Sequence, residues 1–344
     1  MEFLERLEVD GEQERWLVQV DGANEPHVAW FFYDDEREWL VRTHDATRPF
    51  HGPIHPRVST IFGSAWHGRR LVFEVDDDRG PPLATAARQL TDPVERERWV
   101  IAQIIGIADG LATLRHRDRS FIHRQLEPQR LFVDLQGHAK LRAPIAHVLH
   151  GPRSGRMGAG VIRGTAGYMS PEQARGNPTT LASDVFSLAS NLYFALSGRR
   201  PFEHENMMAE LTAIFGEPPA PLEIHTPGLA RVLERAFAKE PAARTPDPGT
   251  FAGELWQCVP DATDYDAVVS DQIVAWRASA PSESARAPMF DGAKCRMRWE
   301  QLAPTKTADV RHCTGCKQDV VHVRSIAEIV PLHGRRCVSY PGGD

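Results

Sequence analysis

Four of the five cysteines fall after residue 290, at Cys295, Cys313, Cys316 and Cys337, in the order C-x17-C-x2-C-x20-C. A thiolate is a nucleophile and a soft metal ligand. The Cys313-Thr-Gly-Cys316 pair has the tight spacing of a zinc knuckle, with Gly315 easing the turn. Four thiolates make a closed tetrahedral site, which is structural because no position is left for a substrate. Cys295 and Cys337 stand alone in sequence, so His312, His322 and His333 are alternative ligands, and reduced thiols in a small core are the plain alternative. One structural zinc is the expectation. The stretch 289–344 is too short to rely on burial, and a reducing compartment excludes disulfides as a staple. Cys258 differs: with Phe251 and Leu255 it completes an i, i+4, i+7 stripe and reads as helix core.

Elements must position such groups, and composition bounds which elements are available. The chain has 344 residues, 42% hydrophobic and 25% charged, with no apolar run near 18 residues. That excludes a disordered polymer and a membrane-spanning helix. The N-terminal stretch has no basic segment followed by an apolar one, so no secretory leader and a cytoplasmic location are expected. Residues 1–50 hold thirteen acidic and five basic side chains, whereas 286–344 hold ten basic and six acidic. Neither end is dense enough in cations for nucleic acid, and a membrane partner is not expected.

LERLEV, RWLVQV and HVAWFF read as short strands between turn-rich pieces, and STIFGSAWHGRRLVFEV reads as a hairpin turning at HGR. Prolines 49, 53 and 56 argue against a long helix between them. From Asp92 the period changes: Trp99, Ala102, Ile105, Ala108 and Ala112 recur at helical spacing. SDVFSLASNLYFAL is apolar nearly all round and reads as a buried central helix capped by Ser183 or Asp184. Val269, Ile273 and Trp276 suggest a last short helix, and the Ala/Ser/Pro stretch 277–288 a linker. The division expected is 1–262, then a short helix and linker over 263–288, then a cysteine-rich module over 289–344.

Six motifs follow in order: FIHRQLEPQRLFVDL (121–135), GHAKLRAPIA (137–146), GTAGYMSPEQARG (164–176), SDVFSLA (183–189), GRRPF (198–202) and KEPAARTP (239–246). Over about residues 3–259 the chain resembles the Hanks-type serine/threonine protein kinases, and GTAGYMSPEQ is similar to the activation-segment end of the bacterial members. The resemblance implies an α+β, bilobal fold: a small antiparallel β lobe, a large helical lobe and a cleft between them. The C-terminal module loosely resembles small zinc-ribbon-like modules.

The positions that hold such a fold are present. Glu172 matches the glutamate of the A-P-E motif and Arg244 the arginine that pairs with it. Asp184 matches the central-helix aspartate that accepts backbone hydrogen bonds near His123 and Arg124. A buried carboxylate without such partners costs several kcal/mol.

The positions that carry the family's chemistry differ. The H-R-D-L-K-P-x-N loop reads His123, Arg124, Gln125, Leu126, Glu127, Pro128, Gln129, Arg130. Gln125 replaces the aspartate that deprotonates the substrate hydroxyl, Glu127 the lysine and Arg130 the metal-binding asparagine. D-F-G falls on Ala143, Pro144 and Ile145, so alanine stands where the main magnesium ligand belongs. The Gly-rich loop reads Glu8 to Gln13, with one glycine and three acids, a composition that repels phosphate. The V-A-x-K strand reads Val28, Ala29, Trp30, Phe31, with Phe31 in place of the phosphate lysine. Together with Phe132 on the expected adenine floor, Trp30 and Phe31 are expected to fill the nucleotide space, unless they turn into ordinary core.

The resemblance read with these losses implies a pseudokinase: no enzyme, no ATP or magnesium, and a protein-binding scaffold or allosteric regulator in signalling. Its partner would be an active kinase or another signalling protein. Two other classes compete with it, a nucleotide-dependent transferase that reuses the cleft in an unorthodox pose, and a small-molecule sensor.

Overall fold

The computed structural model of the chain describes residues 2–10, 13–20, 23, 27–32, 44–45, 47–67, 70–76, 80–143, 166–262, 274–275, 303–305, 310–313, 318–322 and 337–339. Strands β1 (Glu2–Asp10), β2 (Gln13–Gln19) and β3 (His27–Phe32) precede a hairpin of β4 (Ile61–His67) and β5 (Arg70–Val75). They form one antiparallel sheet in the order β1-β2-β3-β5-β4.

Side chains alternate across a strand, so one face of this sheet enters the main core and the other does not. Leu17, Val28, Trp30, Phe32, Leu71 and Phe73 join the core shared with the helices. Val18, Ala29, Phe31 and Val72 make a separate cluster on the opposite face. Trp30 and Phe31 therefore cannot gather in one nucleotide space as expected. Neighbours on a strand point to opposite faces, so Trp30 joins the larger core and Phe31 the smaller cluster. β3 reads HVAWFF, with no lysine or arginine among its six residues.

The helical lobe contains α1 (Leu83–Ala87), α2 (Pro93–Arg117), a hairpin of β6 (Leu131–Val133) and β7 (Ala139–Leu141), α3 (Pro171–Ala174), α4 (Leu181–Ser197), α5 (Met207–Gly216), α6 (Leu229–Ala236) and α7 (Pro248–Cys258). The Asp92 carboxylate caps α2 by accepting the Glu95 N–H at 2.8 Å, and Pro93 occupies the first position, where its missing N–H costs nothing. Every residue of α4 from Ala182 to Tyr193 is buried, which makes it the central helix. Its cap is Thr180, not Ser183 or Asp184. Ser183 sits three residues in and accepts the Thr180 N–H at 3.0 Å, which frees Asp184 to face the 123–124 loop.

Helical backbone at His44, Asp45 and Thr47 runs into a 3-10 turn, Arg48–Phe50, and stops before Pro53 and Pro56. The chain then pairs with β7: the Leu141 N–H donates to the Arg57 carbonyl at 2.8 Å and the Ser59 N–H to the Leu141 carbonyl at 2.9 Å. Gln103 of α2 closes this junction, its Oε1 accepting from Arg57 Nη1 at 2.8 Å and from the Ala139 N–H at 2.7 Å. Across the connection between the lobes, Gly80 lies so close to β6 that a Cβ there would fall 2.1 Å from the Val133 carbonyl oxygen.

Farther along, β8 (Ala303–Pro304), β9 (Val310–Cys313), β10 (Gln318–His322) and β11 (Cys337–Ser339) form a sheet in the order β11-β10-β9-β8. Most of the 263–288 helix and linker lies outside the described residues. Among the described residues no helix is long and apolar enough to cross a membrane.

Candidate functional site

The loop between α2 and β6 carries the candidate site, and one buried carboxylate shapes it. Asp184 accepts the His123 N–H on Oδ2 at 2.7 Å and the Arg124 N–H on Oδ1 at 2.8 Å. Burial pushes its pKa up to about 6 against the pull of these two donors. Arg124 adopts φ 66°, the left-handed region that non-glycine residues rarely occupy. Its side chain folds back onto the loop, Nε donating to Thr179 Oγ1 at 2.9 Å and Nη1 to the Ile122 carbonyl at 3.0 Å. The Gln173 amide of α3 donates to the Arg124 carbonyl at 2.6 Å. His123 is buried, and its Nδ1 accepts the Gln125 N–H at 3.3 Å.

Beneath this loop lies a buried ion pair. Arg244 Nη1 and Nη2 reach Glu172 Oε1 and Oε2 at 2.8 and 3.2 Å. Ser183 Oγ donates to the same carboxylate at 2.6 Å, and Arg244 also donates to the carbonyls of Ala182, Ala238 and Lys239. Burial alone raises the Glu172 pKa, but the hydrogen bonds from Arg244 and Ser183 outweigh it and hold the group below the ordinary carboxylate value.

Four of the substituted positions surround the loop's exit. Gln125 and Glu127 line a shallow pocket together with Arg124, Leu126, Tyr168, Met169 and Ser187. Arg130 Nε lies 3.8 Å from Glu127 Oε1. The Arg142 N–H donates to the Arg130 carbonyl at 2.8 Å, and the Arg142 guanidinium lies over the Phe132 ring at 5.4 Å. Ala143 is buried, and Pro144 and Ile145 lie outside the described residues. Phe31 is buried in the smaller cluster with Val18, Ala29 and Val72. The pocket residues Tyr168, Met169 and Ser187 were not singled out from sequence. The motif that contains two of them, GTAGYMSPEQ, was the available signal, and Ser187 Oγ donates to the Tyr168 carbonyl at 2.8 Å.

Gln125 can orient a hydroxyl but cannot take up its proton. A guanidinium at 130 and a methyl at 143 do not fit a magnesium ion, which requires oxygen donors. Among the described residues no group of three or more His, Cys, Asp or Glu is arranged to hold a metal.

Of the cysteines, Cys313 ends β9 and Cys337 opens β11, while Cys295 and Cys316 lie outside the described residues. Cys313 pairs with Gln318 and Cys337 with Val320, both on β10, so the two backbones are two strand spacings, about 10 Å, apart. A zinc-bound cysteine keeps its Cα within about 5 Å of the metal, given a Zn–S bond of about 2.3 Å. Cys258 is half-buried in the core flank, its thiol directed at the Glu254 carbonyl at 3.4 Å.

The model of the protein kinase domain matches residues 55–244, more than half of the chain. The chain belongs to the protein kinase family. Its relatives include the serine/threonine-protein kinase PknA of Mycobacterium tuberculosis, 34% identical over 236 residues, which are 64% of this chain and 51% of that protein. The serine/threonine-protein kinase drp72 of Corynebacterium efficiens is 35% identical over 257 residues, 69% of this chain and 46% of that one. PkaB of Streptomyces coelicolor, also named a serine/threonine-protein kinase, is 30% identical over 207 residues, 56% and 47% of the two chains. The chain spans about half the length of these relatives. The bilobal body, antiparallel sheet followed by helices, is the kinase fold. The expectation that the chain is no enzyme is overturned: relatives that match across the kinase domain are named as kinases, and the family points to an enzyme. That expectation rested on reading each substituted position as a loss, which substitutions alone do not establish.

Proposed function

We propose that this kinase-family chain acts in signalling by binding a partner protein with the catalytic-loop face of its helical lobe, as a scaffold or allosteric regulator. The observation that carries this reading is the placement of Gln125 and Glu127 in an open pocket whose frame is fixed by the Asp184 and Glu172–Arg244 contacts. A rigid frame around an altered surface suits recognition, because little ordering entropy is lost on binding. The test is crosslinking of the full chain in its native host, followed by reconstitution with the purified partner. A stoichiometric complex is expected. Failure of every candidate to form one in reconstitution would count against the reading.

A second reading follows from the relatives' names: nucleotide-dependent transfer in the same cleft. In this chain Gln125 would orient the acceptor hydroxyl and Arg130 would supply positive charge. Phosphotransfer from labelled nucleotide that disappears in Arg130→Ala supports it, and binding of a partner is compatible with it.

For the C-terminal module we propose one structural zinc bound by Cys295, Cys313, Cys316 and Cys337, with His312, His322 and His333 as alternative ligands. Metal analysis of the full chain tests this. Zinc should fall away in both Cys313→Ser and Cys337→Ser.

A further inference from the structure

The two lysines among the described residues sit in opposite surroundings. Lys140 Nζ lies between two carboxylates, 3.7 Å from Asp76 and 3.8 Å from Asp134. Lys239, just after α6, makes no ion pair among the described residues. Its Nζ lies over the Phe202 ring at 4.0 Å and the Phe186 ring at 6.0 Å. Both rings are buried and stack on each other at 5.7 Å, so this apolar bed is fixed. Nζ donates to the Ala213 carbonyl at 3.5 Å, but that oxygen already accepts the Glu217 N–H at 2.8 Å.

Most of the charge facing this amine has its own sign. Arg244 comes from the segment that follows it, and Arg175 from the end of α3. Glu172 engages both Nη atoms of Arg244. Arg175 makes no ion pair among the described residues and rests over the Phe215 ring at 4.5 Å. The opposing carboxylate is Glu217 at the end of α5, which is exposed and lies 3.2 Å from His204 Nε2. Burial, then Arg244 and Arg175, outweigh Glu217 and lower the Lys239 pKa to about 8. The ring face attracts an ammonium and offsets only part of this. Lys239 is half-buried, so its neutral amine is a nucleophile still open to a small reagent.

We propose that Lys239 is a carbamylation site, at which the side-chain amine takes up carbon dioxide. The nitrogen lone pair forms an N–C bond to the carbon, one C=O electron pair moves onto oxygen, and the nitrogen gives a proton to water. Nothing is oxidised or reduced. The product is an N-carboxylated lysine, so a positive side chain becomes a negative one. Arg244 and Arg175 therefore act twice, repelling the ammonium and attracting the carbamate. An acyl group would gain only from the first effect, because its amide is neutral. Lys140 has neither advantage, since Asp76 and Asp134 hold its ammonium and would repel a carbamate. The site lies outside the pocket at the catalytic loop and does not rest on the partner-binding reading.

The test holds the full chain in carbon dioxide–bicarbonate buffer at about pH 7.5 and traps carbamates as their ethyl esters with triethyloxonium. Peptide mass spectrometry then reads each lysine. The adduct at Lys239 should exceed that at Lys140 by about tenfold or more, and the difference should vanish when the chain is unfolded in urea before trapping. Two exposed neighbours give effects of opposite sign. Arg175→Gln should lower the Lys239 adduct about threefold, and Glu217→Gln should raise it by a similar factor. Both side chains point to solvent, so an unchanged melting temperature shows that the fold is intact. Equal labelling of the two lysines in the folded chain would overturn the proposal. So would a Lys239 adduct that neither variant changes, or that both shift in the same direction.

Discussion

Arg244 holds Glu172 by two parallel hydrogen bonds, at 2.8 and 3.2 Å, with both side chains withdrawn from water. The pair ties the segment before α7 to α3, and Ser183 ties it to α4. Removing one member strands the other charge in a low-dielectric site. Arg244→Met and Glu172→Leu should each cost about 3–5 kcal/mol, and the double variant should recover part of that loss. Urea unfolding across the four proteins measures the coupling. Additive losses would mean that the two side chains do not act as a pair.

Asp184 gives the molecule a pH dependence of opposite sign to most carboxylates. Its folded pKa of about 6 lies above the ordinary 3.8. Its contribution to stability is therefore fully present below about pH 4 and is lost as pH rises through 6. The size is about 2–3 kcal/mol, since one pKa unit is about 1.4 kcal/mol. Glu172 runs the other way, its pKa being held low, so its contribution is lost on acidification. Comparison with Asp184→Asn isolates the first effect. The stability advantage of wild type over that variant should shrink between pH 4 and pH 7. A constant difference across that range would remove Asp184 as the source.

Gly80 marks where the connection between lobes touches the β6 strand. A methyl group there would fall 2.1 Å from the Val133 carbonyl oxygen and 3.1 Å from Phe132 Cδ2. The first of these is backbone and cannot swing aside. Gly80→Ala should lower stability by about 1–3 kcal/mol. Differential scanning calorimetry reads this directly, with Gly63→Ala as the control because its added Cβ meets nothing within 4 Å.

Much of this architecture was legible because its signals are local and periodic. The strands of the first lobe alternate, α2 repeats at helical spacing, and the six motifs fix the order of the rest. The Glu172–Arg244 and Asp184 contacts were readable from motif identity, since buried charges demand partners. Three features were not legible. The start of α4 went to Thr180 because two capping residues lie within three positions, and only the backbone decides which one is the cap. The separation of Trp30 from Phe31 depends on strand parity, which motif alignment ignores. The pocket wall of Tyr168, Met169 and Ser187 arises where a turn meets a helix distant in sequence, and composition carries no trace of it.

Arg130 and Ala143 lead to a prediction about metal. At the positions where the family motif has an asparagine and an aspartate, this chain has a guanidinium near Glu127 and a buried methyl group. A dication placed there would be repelled by the first and unliganded by the second. Magnesium should therefore add nothing to any shift in melting temperature that ATP produces on its own, and fluorescence-monitored melting of the full chain with ATP, before and after magnesium addition, checks this. The variant Arg130→Asn with Ala143→Asp restores two oxygen donors at those positions, and magnesium should then raise the melting temperature above that with ATP alone. If wild type gains several degrees when magnesium is added, the ion must find donors elsewhere in the cleft, and the reading of these two positions would be wrong.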